Sequence, residues 1–253
     1  MEFVLSNIKV IVMEDYEQMS AKAADIMSAE INKKPNVVLG LATGGTPEGL
    51  YKELVKKNRA NEVSFAGVTT FNLDEYYPIK KANPQSYDYF MKDNLFNHVN
   101  IDLSKVNIPN GECADPASEC DAYEAKIAAA GGIDLQLIGI GMNGHIAFNE
   151  PADSFTSKTN YTSLTDSTIQ ANKRYFDDEK DVPRHALTMG IRTIMLARKI
   201  LMIANSEKKA EIIESALFGD ITPQVPASVL QLHQDVTVVL DKAAASRILS
   251  RLV

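Results

Sequence analysis

The stretch 37–54, VVLGLATGGTPEGLYKEL, gives the clearest indication of fold in this chain of 253 residues. Its first six residues are an almost continuous apolar run, which is typical of a buried β-strand. A Gly-rich turn follows, and a helix is predicted over 48–58. Pro47 suits the first turn of that helix, because its missing N–H would be unpaired there in any case. The stretch therefore predicts a strand–turn–helix unit.

The same alternation continues along the chain. Short apolar runs alternate with longer amphipathic stretches, which predicts an α/β fold with a mainly parallel sheet. The polar stretch 153–182 is weakly periodic and is predicted to form a lid outside the sheet. No linker rich in Pro, Gly or Ser is visible, so we expect one domain over 1–253. Further strands are predicted at 68–73, 133–140, 200–204 and 236–240, and helices at 86–98, 117–130, 207–218 and 243–252.

Composition narrows the classes of function. A hydrophobic fraction of 45% and a charged fraction of 23% are ordinary for a globular domain. The net charge of -7 argues against nucleic acid or an anionic membrane as a partner. No apolar stretch approaches the ~18 residues of a membrane span, and no signal sequence is visible, so a cytoplasmic protein is expected. Cys113 and Cys120 lack metal-type spacing and are predicted to be free thiols.

Polar clusters follow the predicted strands, where open α/β sheets bind their ligands. The first is Thr43, Gly44, Gly45 and Thr46. Glycines let backbone N–H groups converge, and the helix that follows adds the positive end of its dipole, so together they can bind an anion. The spacing is neither that of a P-loop nor that of GxGxxG. An ordinary strand–helix turn is the alternative interpretation.

The second cluster contains Asp74, in FNLDEYY at 71–77. A half-buried carboxylate at the end of a strand has a raised pKa and can move a proton between adjacent carbons. The alternative is that Asp74 or Glu75 is a helix cap or a surface acid.

The third cluster is GIGMNGHIAFNEP at 139–151. His145 follows a Gly-rich turn. Histidine side chains in general can give or take a proton from a sugar hydroxyl or ring oxygen near neutral pH. Asn143 and Glu150 are candidates to orient it or balance its charge. A purely structural histidine is the alternative.

In a fourth, cationic cluster, Arg174 and Lys209 can complete a phosphate site, although exposed lysines are more often only solvated.

Four motifs together closely resemble the glucosamine-6-phosphate deaminase (isomerase) family. They are LATGGTPEGLYKEL, FNLDEYYPI, NPQSYDYFMKDNLF and IGIGMNGHIAFNEP, and the resemblance runs from about residue 35 to residue 240. The related 6-phosphogluconolactonases generally continue differently after the Gly-His pair. The resemblance implies a Rossmann-like three-layer sandwich with a lid. It also implies conversion of glucosamine 6-phosphate to fructose 6-phosphate and ammonia.

The resemblance also implies residue roles. Asp74 would shuttle a proton between C2 and C1, and His145, assisted by Glu150 and Asn143, would open the pyranose ring. Residues 43–46 would hold the phosphate together with Arg174 and Lys209. No hydride moves and no nucleotide is used in this chemistry, so neither a redox cofactor nor a metal is expected.

The chain departs from well-known members in two places. Some carry Asp where this chain has Asn143, and an amide can fix an imidazole tautomer but cannot stabilise an imidazolium by charge. Others have an activator site that holds a phosphate with cations. The corresponding positions here are Asp153, Asn160, Thr162 and Ser163, so we expect no such site.

Several alternatives stay open at this point. Galactosamine 6-phosphate is the nearest alternative substrate, because the sequence does not fix the configuration at C4. A 6-phosphogluconolactonase and a non-catalytic sugar-phosphate sensor are the others. The expected partner is a small sugar phosphate, and a homo-oligomer is neither indicated nor excluded.

Overall fold

The computed structural model of the chain describes residues 1–5, 7–173, 176, 178 and 181–251. The strands in these ranges are β1 (Glu2–Leu5), β2 (Ile8–Met13), β3 (Val38–Leu41), β4 (Thr69–Asn72), β5 (Asp74–Tyr77), β6 (Val106–Asn107), β7 (Leu135–Ile138), β8 (Asn160–Ser163), β9 (His185–Thr188), β10 (Lys199–Ala204) and β11 (Val236–Asp241). The helices are α1 (Tyr16–Lys33), α2 (Glu48–Arg59), α3 (Tyr87–Asn94), α4 (Pro116–Ala129), α5 (Asp166–Asn172), α6 (Ile191–Met195) and α7 (Ala210–Phe218).

The main sheet has the strand order β1-β2-β11-β10-β7-β3-β4-β6. All neighbouring pairs are parallel except β1 with β2. Every residue of β3 and β7 is buried, as expected for parallel strands covered on both faces. The predicted α/β fold with a mainly parallel sheet is therefore confirmed.

Regular secondary structure is present before the first predicted strand at 37–42. The strands β1 and β2 and the helix α1 precede it. In the main sheet, β2 pairs with β11. Asp15 caps α1, because its carboxylate accepts the Gln18 N–H at 2.8 Å. The N-terminal segment is thus an integral part of the sheet.

The predicted C-terminal helix at 243–252 is wrong for the residues that the structure describes. They form turns and a single 3-10 turn, Leu249–Arg251. The backbone there mixes two spacings: Ala245 donates to the Asp241 carbonyl four residues back, whereas Ile248 donates to Ala245 three residues back. No regular α-helix forms from such a mixture.

A second, antiparallel sheet has the order β5-β9-β8. Its first strand begins at Asp74, directly after the main-sheet strand β4, so the sequence DEYY continues as a strand rather than ending one. The described residues of the polar stretch 153–182 include β8 and α5 and contribute no strand to the main sheet. No helix in the described ranges is long and apolar enough to cross a membrane. Cys113 and Cys120 are free thiols, as predicted.

Candidate active site

A cavity of about 890 Å³ opens at the carboxyl ends of β3, β4, β7 and β10. The residues of the predicted site that line it are Thr43, Gly44, Gly45, Thr46, Asp74, Asn143, His145 and Lys209. Glu150 lies beside it, within reach of His145. Arg174, the other predicted phosphate ligand, lies outside the described residues. The structure thus brings the predicted clusters together in one place, except for that arginine.

The Gly-rich loop 43–46 has a backbone shape that favours glycine. Gly44 has φ +98°, and an added Cβ would meet nothing within 4 Å, so the requirement is conformational rather than steric. The Tyr16 hydroxyl donates to the Thr46 carbonyl at 3.1 Å and accepts the Gly49 N–H at 2.8 Å. The Thr46 hydroxyl donates to Asn205 Oδ1 at 2.8 Å. These contacts hold the loop at the start of α2, where an anion is favoured.

Asp74 is buried, with 6% of its surface exposed. Burial, together with the charge of Glu75, raises its pKa to about 8. The pKa values of the Tyr87 and Tyr123 hydroxyls are raised well above the ordinary value, first by burial and also by the charge of Asp74; Tyr123 is fully buried and Tyr87 is half-buried. The surface-acid alternative for Asp74 is therefore wrong. A carboxyl group of this kind can accept or release a proton near neutral pH.

Glu75 accepts N–H groups at the start of α3, whose N-cap residue is Ser86. Glu75 is 2% exposed, and its carboxylate accepts the backbone N–H groups of Tyr76 at 2.9 Å, Tyr87 at 2.9 Å and Asp88 at 3.0 Å. Burial raises its pKa to about 7, although these hydrogen bonds oppose the rise. The capping alternative therefore applies to Glu75, and it ties the strand of Asp74 to the start of α3.

His145 lies over a glycine. A Cβ on Gly141 would be 2.3 Å from the imidazole, so only glycine leaves room for the ring. The loop closes on itself, because Gly141 donates its N–H to the His145 carbonyl at 2.8 Å. The ring atom Nδ1 lies 3.5 Å from Glu150 Oε2. Imidazole and carboxylate therefore form an ion pair whenever the ring is protonated.

Asn143 contacts the backbone of His145 and the side chain of Glu150 rather than the imidazole. Its Oδ1 accepts the His145 N–H at 3.2 Å, and its Nδ2 donates to Glu150 Oε2 at 2.6 Å. The expectation that this amide fixes the ring tautomer directly is therefore not met. Asn143 instead orients the carboxylate that faces the ring.

Glu150 is held as a carboxylate. Burial raises its pKa, but the His145 imidazole at 3.5 Å and hydrogen bonds from Thr168 and Asn143 outweigh that effect and lower it to about 2. Glu150 is therefore ionised throughout the neutral range.

Lys209 lines the cavity and is half-buried. Its Nζ donates to the Ile140 carbonyl at 2.6 Å, which places the ammonium group beside the loop that follows β7. The neighbouring Lys208 also lines the cavity, but it is exposed. Among the described residues, no group of three or more His, Cys, Asp or Glu side chains is arranged to hold a metal ion.

Two contacts escaped the sequence analysis. Thr168 donates a hydrogen bond to Glu150, and Asn205 accepts one from Thr46. For Glu75, a capping role was an alternative interpretation, but the sequence did not indicate which N–H groups it accepts. Thr168 and Asn205 are distant in sequence from the groups they touch, and nothing in the local pattern indicates the pairing.

Fold and cavity together define a class of protein: an α/β protein whose parallel strands end at one acid/base cavity beside a Gly-rich loop. Residues 14–239 match the family described as glucosamine-6-phosphate isomerases/6-phosphogluconolactonase. The chain belongs to this family.

Individual relatives agree with this assignment. A protein of Clostridioides difficile (strain 630) named glucosamine-6-phosphate deaminase is 53% identical over 241 residues, which cover 95% of this chain and 97% of the relative. The solved structure of a monomeric glucosamine-6-phosphate deaminase has a TM-score of 0.92 and 46% identity, and the match covers 94% of this chain and 99% of that one.

A lactonase shares the fold at a greater distance. The solved structure of the 6-phosphogluconolactonase from Trypanosoma cruzi has a TM-score of 0.75 with 19% identity, covering 98% of this chain and 99% of that one. At that identity the likeness concerns the fold alone.

Proposed function

We propose that this protein is a glucosamine-6-phosphate deaminase, which converts glucosamine 6-phosphate and water to fructose 6-phosphate and ammonia. The observation that supports it best is the buried Asp74 in the same cavity as the His145–Glu150 pair. Ring opening needs one acid/base group, and isomerisation needs a second base at another point of the substrate. Relatives at about 50% identity with the deaminase name support the same activity.

Asp74 is the base of the isomerisation in this proposal. It removes the proton from C2 of the open-chain sugar and returns a proton at C1. The raised pKa suits this task, because a base that titrates near the working pH both accepts and releases protons readily. Ammonia is lost once C2 has become carbonyl-like.

His145 opens the pyranose ring by moving a proton between the C1 hydroxyl and the ring oxygen. Glu150, which is ionised, stabilises the imidazolium form, and Asn143 keeps the carboxylate in place.

The phosphate binds at residues 43–46, with Lys209 as a cationic partner. Arg174 stays a further predicted partner on sequence grounds.

The rate should depend on pH through Asp74. Because the base must be unprotonated in the free enzyme and its pKa is about 8, kcat/KM for glucosamine 6-phosphate should rise as the pH increases from 6 to about 8. Steady-state kinetics over pH 5–9 check this. A kcat/KM that does not rise between pH 5 and 8, as expected for an aspartate with the ordinary pKa of about 4, would contradict the role of the buried carboxyl group.

Lys209→Ala should weaken substrate binding. A hydrogen bond to a charged group contributes roughly 1.5–3 kcal/mol, so KM should rise by about one to two orders of magnitude. The preference for glucosamine 6-phosphate over glucosamine should shrink in parallel. Lys208→Ala, which removes the same charge from an exposed neighbour, should have a smaller effect. An unchanged phosphate preference in Lys209→Ala would assign that lysine to the solvated surface.

A comparison of three substrates tests the proposed function. Ammonia release is measured from glucosamine 6-phosphate and galactosamine 6-phosphate, and hydrolysis is measured with 6-phosphogluconolactone. We expect the highest kcat/KM with glucosamine 6-phosphate. A preference for galactosamine 6-phosphate would change the assigned configuration at C4. Efficient lactone hydrolysis without ammonia release would replace the proposal.

A further inference from the structure

The two carboxylate oxygens of Glu150 have different partners. Oε2 accepts the Asn143 amide at 2.6 Å and lies 3.5 Å from His145 Nδ1. Oε1 accepts the hydroxyl of Thr168. One oxygen therefore lies near the imidazole, while the other is bonded by a residue of α5.

Thr168 is itself fixed in position. It is 4% exposed and lines the cavity. Its backbone N–H donates to the Thr165 hydroxyl at 3.3 Å, and that hydroxyl donates to Thr168 Oγ1 at 3.2 Å. A hydroxyl has one proton to donate, and Thr168 directs it to Glu150 while accepting from Thr165. The chain of bonds runs in one direction toward the carboxylate.

The helix α5 packs against the body of the protein through Ile169, the residue that follows Thr168. Ile169 is 2% exposed and belongs to a buried cluster with Tyr76 and Phe148, which lies next to the cavity. The packing of Ile169 in this cluster holds α5 beside the cavity, where the Thr168 hydroxyl reaches Glu150.

We propose that Thr168 is a positioning residue for ring opening, which holds Glu150 with Oε2 toward His145 when α5 is docked. This proposal rests on the proposed function. The terminal torsion of a glutamate is broad, so one hydrogen bond to one oxygen leaves the carboxylate plane loosely defined. Separate bonds to the two oxygens define it more closely. Removal of the Thr168 hydroxyl therefore loosens the partner of the imidazolium without touching the substrate-binding groups.

The test compares Thr168→Val, which keeps the shape and loses the hydroxyl, with Thr168→Ser, which keeps the hydroxyl. Two substrates separate the steps: glucosamine 6-phosphate, which must be opened, and 5-deoxyglucosamine 6-phosphate, which cannot close to a pyranose. Loss of a hydrogen bond to a charged group predicts a fall in kcat of about 10- to 100-fold for Thr168→Val on the first substrate. We expect KM within about twofold and a much smaller defect on the second substrate. Thr168→Ser should restore most of kcat.

Thr162→Val is the matched control, because it makes the same change in β8 of the same stretch, away from Glu150. It should change kcat by less than about twofold. Circular dichroism and thermal unfolding establish that each variant is folded. Equal losses on both substrates, or a Ser variant no more active than the folded Val variant, would overturn the positioning role while leaving the proposed function intact. A wild-type protein that releases no ammonia from glucosamine 6-phosphate would overturn both.

Discussion

Asp74→Asn is expected to reduce kcat for glucosamine 6-phosphate by about 10²- to 10⁴-fold, the usual cost of removing a general base. The substitution keeps the shape of the side chain and removes its ability to accept the C2 proton. Exchange of the C2 proton with deuterated water should be lost in parallel. Steady-state ammonia release and proton NMR in deuterated water measure the two effects.

The fall in kcat of Asp74→Asn can be attributed to catalysis, because the substitution should leave the folded protein stable. At pH 7 a carboxyl group with a pKa of about 8 is mostly protonated, so a neutral amide replaces a mostly neutral group. The thermal unfolding midpoint of Asp74→Asn at pH 7 should therefore lie close to that of the wild-type protein. Near-wild-type turnover in the folded variant would remove Asp74 from the isomerisation.

His145→Gln is the second large expected effect, and it should depend on the substrate. On the closed pyranose of glucosamine 6-phosphate we expect a fall in kcat of about 10²- to 10⁴-fold, because no group remains to transfer the ring-opening proton. On an analogue that cannot form the ring, the defect should be much smaller. Parallel kinetics on both substrates measure the difference, and equal losses would separate His145 from ring opening.

Glu150→Gln provides the comparison for this histidine. It removes the negative charge 3.5 Å from Nδ1 but leaves the imidazole in place. Because Asn143 carries no charge, no second carboxylate at that position replaces it. The variant should show the same dependence on substrate as His145→Gln, with a defect of the same kind.

The sequence predicted the site residues that directly follow strands of the main sheet. Short runs rich in apolar residues marked β3, β4, β7, β10 and β11, and the parallel arrangement brought the polar residues after several of them to one edge. For that reason Asp74, His145 and residues 43–46 could be placed in one cavity without coordinates. Local pattern and topology were sufficient for this part of the site.

The remaining features depend on contacts between distant residues. In the small sheet β5-β9-β8, the central residue Thr188 pairs with Asp74 on one side and with Asn160 on the other. Neither β5 nor β8 contains an apolar run that would have predicted a strand. The bond from Thr168 to Glu150 likewise joins residues 18 apart. The Asn143 amide bonds the Glu150 carboxylate rather than the His145 ring. No sequence motif specifies which of these two groups it contacts.

One measurement addresses the central claim that this chain breaks the C2–H bond of an amino-sugar phosphate and releases its nitrogen. Glucosamine 6-phosphate labelled with deuterium at C2 is incubated with the wild-type protein, and ammonia, fructose 6-phosphate and the position of the label are followed together. The account predicts ammonia and fructose 6-phosphate in equal amounts, with the deuterium gone from C2. Substrate recovered with its label still at C2 and without ammonia would contradict it.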